Sequence, residues 1–184
     1  MKGCAPTEAG FTLFELMISI VVLSVLLTVG VPTMLSAAEK RETISAAEEI
    51  YSQLQFARSE SVSRSAQIFA NISAGGTWAI GISDDPNCDP TDNNPACDLP
   101  DVTGANAITH LFSSADFNQI GLTTTAAQIT FSPQRATATA ATIEVASARN
   151  MGFTVRIVVT ALGQISMCSP NTNPVEYVPD YRAC

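Results

Sequence analysis

Glu15 stands at the mouth of a run, residues 16–38, that holds 23 residues and no charged side chain. A carboxylate so placed has one kind of chemistry open to it. An ionised group in hydrocarbon is strongly disfavoured until it meets an opposite charge, so it marks a functional site with a partner to be named. At the end of such a run the natural partner is an amine. A second set of reactive groups lies far downstream: Cys88, Cys97, Cys168 and Cys184. An even number of cysteines beyond an apolar segment suggests disulfides formed in an oxidising compartment. Three pairings are open to four cysteines. Joining Cys88 to Cys97 and Cys168 to Cys184 closes short loops and is the preferred one. A zinc site is the weaker reading, because eight residues between Cys88 and Cys97 is wide for a zinc knuckle and His110 is the only histidine.

No enzyme and no cofactor is read from these residues. Nucleophilic catalysis needs a nucleophile beside a positioned base, and His110 has no recognisable partner motif, which makes it a half-exposed strand residue. The segment 84–101 carries six aspartates, three asparagines and four prolines around Cys88 and Cys97. Calcium takes several oxygen ligands from a loop, but the spacing matches no EF-hand. The preferred reading is a solvated loop tied by a disulfide, with no metal.

These groups need elements to hold them. As an α-helix the uncharged run rises to roughly 35 Å, against a hydrocarbon core of about 30 Å. A cleaved secretory signal fits it poorly, since that has an apolar core of about 7 to 15 residues behind a basic start, and here Lys2 and Glu8 cancel. Beyond it, Leu35, Ala38, Ile44, Ala47, Ile50, Leu54 and Ala57 recur on one helical stripe. Glu39, Lys40, Arg41, Glu42, Glu48, Glu49 and Arg58 fall on the other faces, read as solvated. The helix is expected to continue to about residue 70. Apolar or β-branched runs at 66–73, 77–83, 108–112, 128–131, 142–146, 153–160 and 164–168, separated by Gly, Pro, Asn and Asp, read as strands. Trp78 is expected to anchor the core. The fold class is α+β, one long N-terminal helix packed on antiparallel sheet. With a net charge of −8 and no Lys or Arg between Arg64 and Arg135, the chain does not look like a nucleic-acid binder, which must neutralise phosphates.

Gly10 followed by Phe11, Thr12, Leu13, Glu15, Leu16 and a long apolar helix resembles the N-terminal signal of type IV pilins and type II secretion pseudopilins. The resemblance implies that a prepilin peptidase cuts between Gly10 and Phe11 and methylates Phe11. It also implies that Glu15 pairs with the N-terminal amine of a neighbouring subunit, and that Gly30 and Pro32 loosen the helix or kink it at the membrane exit. The leader is less basic than is usual in the family, and its Cys4 is read as incidental. The domains are then a leader at 1–10, a transmembrane and assembly helix at 11–38, its amphipathic continuation at 39–70, and a β-rich periplasmic domain at 71–184.

Three further stretches narrow the resemblance. Leu54-Gln-Phe-Ala-Arg-Ser-Glu-Ser-Val is similar to the Leu-x-x-Ala-Arg-Ser-Glu-Ala segment of the GspH and FimT group of minor pilins and pseudopilins. Ile129-Thr-Phe-Ser-Pro-Gln-Arg looks like that group's Ile-Thr-Phe-x-Pro-x-Gly turn, with Arg135 at the glycine. The run from Ile157 to Cys168 resembles its last hairpin. Members that take up DNA carry Gly-Arg-x-Arg there. Here Gly163, Gln164, Ile165 and Ser166 stand instead, so both cations are missing and only Arg156 and Arg182 remain nearby in sequence. The resemblance therefore implies a structural minor subunit, held as a single-pass protein of the inner membrane with its C-terminal domain in the periplasm. It would assemble with other pilin or pseudopilin subunits at or near the tip of a type IV pilus or a type II secretion pseudopilus. A DNA-uptake receptor is the alternative.

Overall fold

The computed structural model describes residues 10–92, 96–100, 107–117, 119–148, 152–170 and 178–184, with the side chains of Val29, Pro32, Thr33 and Ala107 outside that set. Most of the leader, with Cys4, lies outside the described residues. So do Asn93 to Pro95 and Asp101 of the Asp-rich segment.

Helix α1 spans Leu13–Arg64. It starts where Thr12 caps it, the Glu15 N–H donating to Thr12 Oγ1 at 3.3 Å, and Thr12-Leu-Phe-Glu15 has the spacing of a capping box. It ends at Arg64, short of the expected residue 70. Ser65 takes a left-handed φ of 52°, and the Ala66 N–H donates to Ser61 O at 3.2 Å, a Schellman closure that satisfies one of the last carbonyls. The helix is continuous through Gly30 and Pro32, so whatever weakening these residues bring does not interrupt it. Among the described residues no helix is long and apolar enough to cross a membrane. The uncharged run counted in the sequence includes Val29, Pro32 and Thr33, whose side chains are not in that set.

The chain divides into two compact units, Met1–Ala38 and Glu39–Cys184. In the second, the strands are β1 (Ile68–Ser73), β2 (Ala79–Ser83), β3 (Asp98–Pro100), β4 (Ala107–Ser113), β5 (Ile120–Thr124), β6 (Gln128–Ser132), β7 (Thr137–Ala138), β8 (Ala141–Ser147), β9 (Thr154–Val159) and β10 (Ile165–Cys168). They form two antiparallel sheets, ordered β3-β4-β2-β1-β6-β7 and β10-β9-β8-β5. All seven expected strands are present, within a few residues of their expected bounds. β2 is interior to its sheet and buried along its whole length. β8 alternates buried and half-buried positions, placing Ala141, Ile143 and Val145 inward, as a one-face-buried antiparallel strand should.

The helix contributes Ala46, Ala47, Ile50, Leu54 and Ala57 to a single core with Ile68, Trp78, Ile80, Phe131, Ile143 and Ile157. The stripe is shifted from the expected one. Leu35 and Ala38 are exposed, whereas Glu39 and Thr43 are buried. Glu39 lies four residues before Thr43 and seven before Ala46, in phase with the buried face, and is not on a solvated one.

Candidate functional site

Phe11, Leu13 and Phe14 at the start of α1 are largely exposed, and so are Leu16 to Leu27 on every side of the helix. A helix that is apolar all round needs an apolar solvent or apolar partners. Its hydroxyls are already satisfied from within. Ser19 donates to Glu15 O at 2.7 Å, Ser24 to Val21 O at 2.8 Å and Thr28 to Val25 O at 2.7 Å, the back-bonding that lets such residues leave water. The Glu15 carboxylate, by contrast, has no partner among the described residues. Sequence reasoning named Thr12 only within the motif and missed its role as the helix cap, for which the signal was the Thr-x-x-Glu spacing itself. A Cβ on Gly10 would meet nothing within 4 Å, so the fold places no demand for glycine there.

In the second unit the two disulfides join Cys88 to Cys97 and Cys168 to Cys184, each with Cα atoms 5.0 Å apart. The first sits against Gly81 of β2, where a Cβ would stand 2.2 Å from Cys97 Sγ, so only glycine leaves room for the bridge. Asn71 donates to Cys88 Sγ at 3.0 Å and receives a hydrogen bond from Gln128 Nε2 at 2.6 Å. Two aspartates of this segment, Asp85 and Asp89, serve local turns. Asp85 Oδ1 accepts the Asn87 N–H at 2.9 Å. Asp89 Oδ1 accepts both the N–H and the hydroxyl of Thr91, at 2.8 and 2.6 Å, and that hydroxyl above all holds its carboxyl below the usual range. Among the described residues no three metal-ligating side chains converge.

The second disulfide anchors a tail that is tied down again by the Lys40 to Asp180 ion pair at 2.7 Å, by Tyr181 donating to Glu48 Oε1 at 3.0 Å, and by buried Val178. Burial, with the Glu48 hydrogen bond and charge, pushes the Tyr181 hydroxyl up to about 12. Glu39 is held differently from Glu15: Ser147 at the end of β8 donates to its Oε1 at 2.6 Å.

His110 lies half-buried on β4, its ring 4.7 Å from that of Phe56, and burial holds its pKa below the ordinary 6.5. Trp78 precedes β2, fully buried, and donates to Ile120 O at 2.8 Å. In the last hairpin the turn is built on Gly163, at φ +71°, where a Cβ would collide with Ala136 O. Arg156 of β9 pairs with Glu144 of β8 at 2.7 Å, so one of the two cations weighed for phosphate binding already has its counter-ion.

Residues 46–163 match the family model described as "Type II transport protein GspH", and residues 6–31 match the prokaryotic N-terminal methylation motif. No curated protein matches the sequence. Two crystal structures of the type IV minor pilin FimU of Pseudomonas aeruginosa align with the chain. One aligns at 20% identity and a TM-score of 0.49, covering 78% of this chain and 96% of that one. The other aligns at 20% identity and 0.44, covering 74% and 97%.

Proposed function

The chain belongs to the GspH family of pilin-like proteins, and from that premise we propose that it is a structural minor subunit of a type IV pilus or a type II secretion pseudopilus. The observation that carries this reading is the Glu15 carboxylate, unpartnered among the described residues, at the capped start of a helix whose next 23 residues are uncharged and whose apolar side chains from Leu16 to Leu27 are exposed. In the inner membrane that helix stores the subunit as a single-pass protein with its C-terminal domain in the periplasm. A prepilin peptidase cuts after Gly10 and methylates Phe11; Thr12 lies beyond the cut, so the helix cap survives processing. The Glu15 carboxylate then meets the terminal amine of a neighbouring subunit as the chain enters the filament at or near its tip. Gly30 and Pro32 are the point at which the helix loosens as it leaves the bilayer. No catalytic step belongs to this role.

Glu15→Ala tests it. The variant is expected to be cut and methylated as the native chain is, yet to be missing from the sheared filament fraction, with Glu15→Asp partly retained. Normal incorporation of the alanine variant would show that the charge takes no part in assembly.

A further inference from the structure

Among the described residues, four basic side chains of the second unit are half-buried: Lys40, Arg58, Arg64 and Arg156. Three of them have a carboxylate. Lys40 meets Asp180, Arg64 meets Glu60 and Arg156 meets Glu144. The Arg58 guanidinium makes no ion pair and no side-chain hydrogen bond with any described residue. It is the arginine of the Leu54 to Val62 stretch that set this chain within its group, and nothing in membrane anchoring or processing uses it.

Arg58 lies in a cavity of about 420 Å³ between the C-terminal part of α1 and the turn after β6, lined also by Gln55, Ser59, Val62, Ser63 and Ala136. The β9–β10 turn borders it: a Cβ on Gly163 would stand 3.5 Å from Arg58 Nε. That turn carries Leu162, 79% exposed, and Val62 on the helix side is 52% exposed. A cation thus lies beside the exposed Val62 and against the turn that carries Leu162, and the Ser63 hydroxyl makes no hydrogen bond among the described residues. The helix C-terminus does not cancel the charge, because its field is confined to the last turn and Arg58 stands six residues before the end.

We infer that the Arg58 cavity is a docking site for a carboxylate side chain of a neighbouring filament subunit, with an aliphatic residue beside it lying over Val62 and Leu162. This rests on the subunit role proposed above. A guanidinium fork matches a carboxylate with two parallel hydrogen bonds, and the aliphatic wall suits a peptide. A nucleic-acid strand suits it less, since a run of phosphates needs several cations and Arg58 is the one cation in the lining.

The test uses the full chain in its native filament, with a photo-crosslinking benzoylphenylalanine in place of Leu162. Illumination of filaments is expected to join residue 162 to a peptide of another subunit that contains Asp or Glu. Arg58→Met, which keeps the aliphatic stem and removes the fork, should abolish that adduct per incorporated chain with the melting temperature unchanged, and Arg58→Lys should restore part of it. Equal adduct yield in Arg58→Met, an adduct to a peptide without a carboxylate, an adduct to DNA, or no adduct from chains that are in the filament would each overturn the inference. Absence of the native chain from the filament would instead overturn the subunit role itself.

Discussion

Residues 13–38 and 39–64 belong to one helix yet are built for opposite surroundings. The first stretch is apolar all round and exposes nearly all of it; the second turns one stripe into a closed core and shows charge elsewhere. Their two leading carboxylates carry the same contrast. Glu39 is buried and takes a hydrogen bond from Ser147 inside its own unit, while Glu15 is exposed and has no internal partner among the described residues. A buried acid with a donor is accounted for by the fold. On the reading proposed above, an acid without a partner among the described residues, at the head of an uncharged stretch, is met by the amine of another subunit.

The contrast predicts where stability resides. Removing the C-terminal disulfide should have the largest effect, about 3 kcal/mol for a loop of this length, or roughly 10 °C in melting temperature for a chain of this size. Cys168→Ser and Cys184→Ser, measured as full-length protein in detergent without reductant, should fall by equal amounts, because each removes the same bond. Unequal losses would mean that one of the cysteines is used elsewhere.

Next come the two glutamates. Glu39→Ala leaves the Ser147 hydroxyl without this acceptor and should cost about 2 kcal/mol, read as a lower urea midpoint with filament incorporation retained up to the loss of folded protein. Glu15→Ala should leave the midpoint where it is and lose incorporation. If the two substitutions shift stability alike, the division between an inward and an outward carboxylate is wrong.

The smallest effect concerns the tail. The Tyr181 hydroxyl is raised from its ordinary 10 to about 12, so the folded state favours the protonated form. The stability this contributes is fully present below pH 10 and is lost as pH rises through 12. Melting curves of the native chain should therefore fall more steeply over that interval than those of Tyr181→Phe. Parallel curves would show that neither burial nor the contact with Glu48 makes the stability depend on this hydroxyl.

Much of this was legible in the residues. The helix and all seven strands that had a pattern of their own follow from periodicity, and the disulfides are the preferred pairing of the three that the sequence left open. β3 has three residues, one of them Pro100, and exists only through its pairing with β4. β5 reads Ile-Gly-Leu-Thr-Thr, with a glycine between its only two apolar residues, and β7 has only two residues, too few for alternation to show. The helix end was misjudged because Ser65 breaks it through an unusual φ and not through a glycine. Glu39 was misplaced because its charge outweighed its phase, although its spacing to Thr43 and Ala46 puts it on the buried face. At the N-terminus the opposite holds: the chemistry there is carried by residue types in order, and the fold adds only the Thr12 cap.

The account turns on processing. Intact-mass and N-terminal peptide spectra of the chain recovered from its native membrane test it most directly. It predicts a protein that begins at Phe11 with one added methyl group on the amine, and an uncut precursor when Gly10 is replaced by a bulky residue. A mature terminus near Glu39, at the end of the uncharged run, would contradict it and make residues 1–38 a discarded signal.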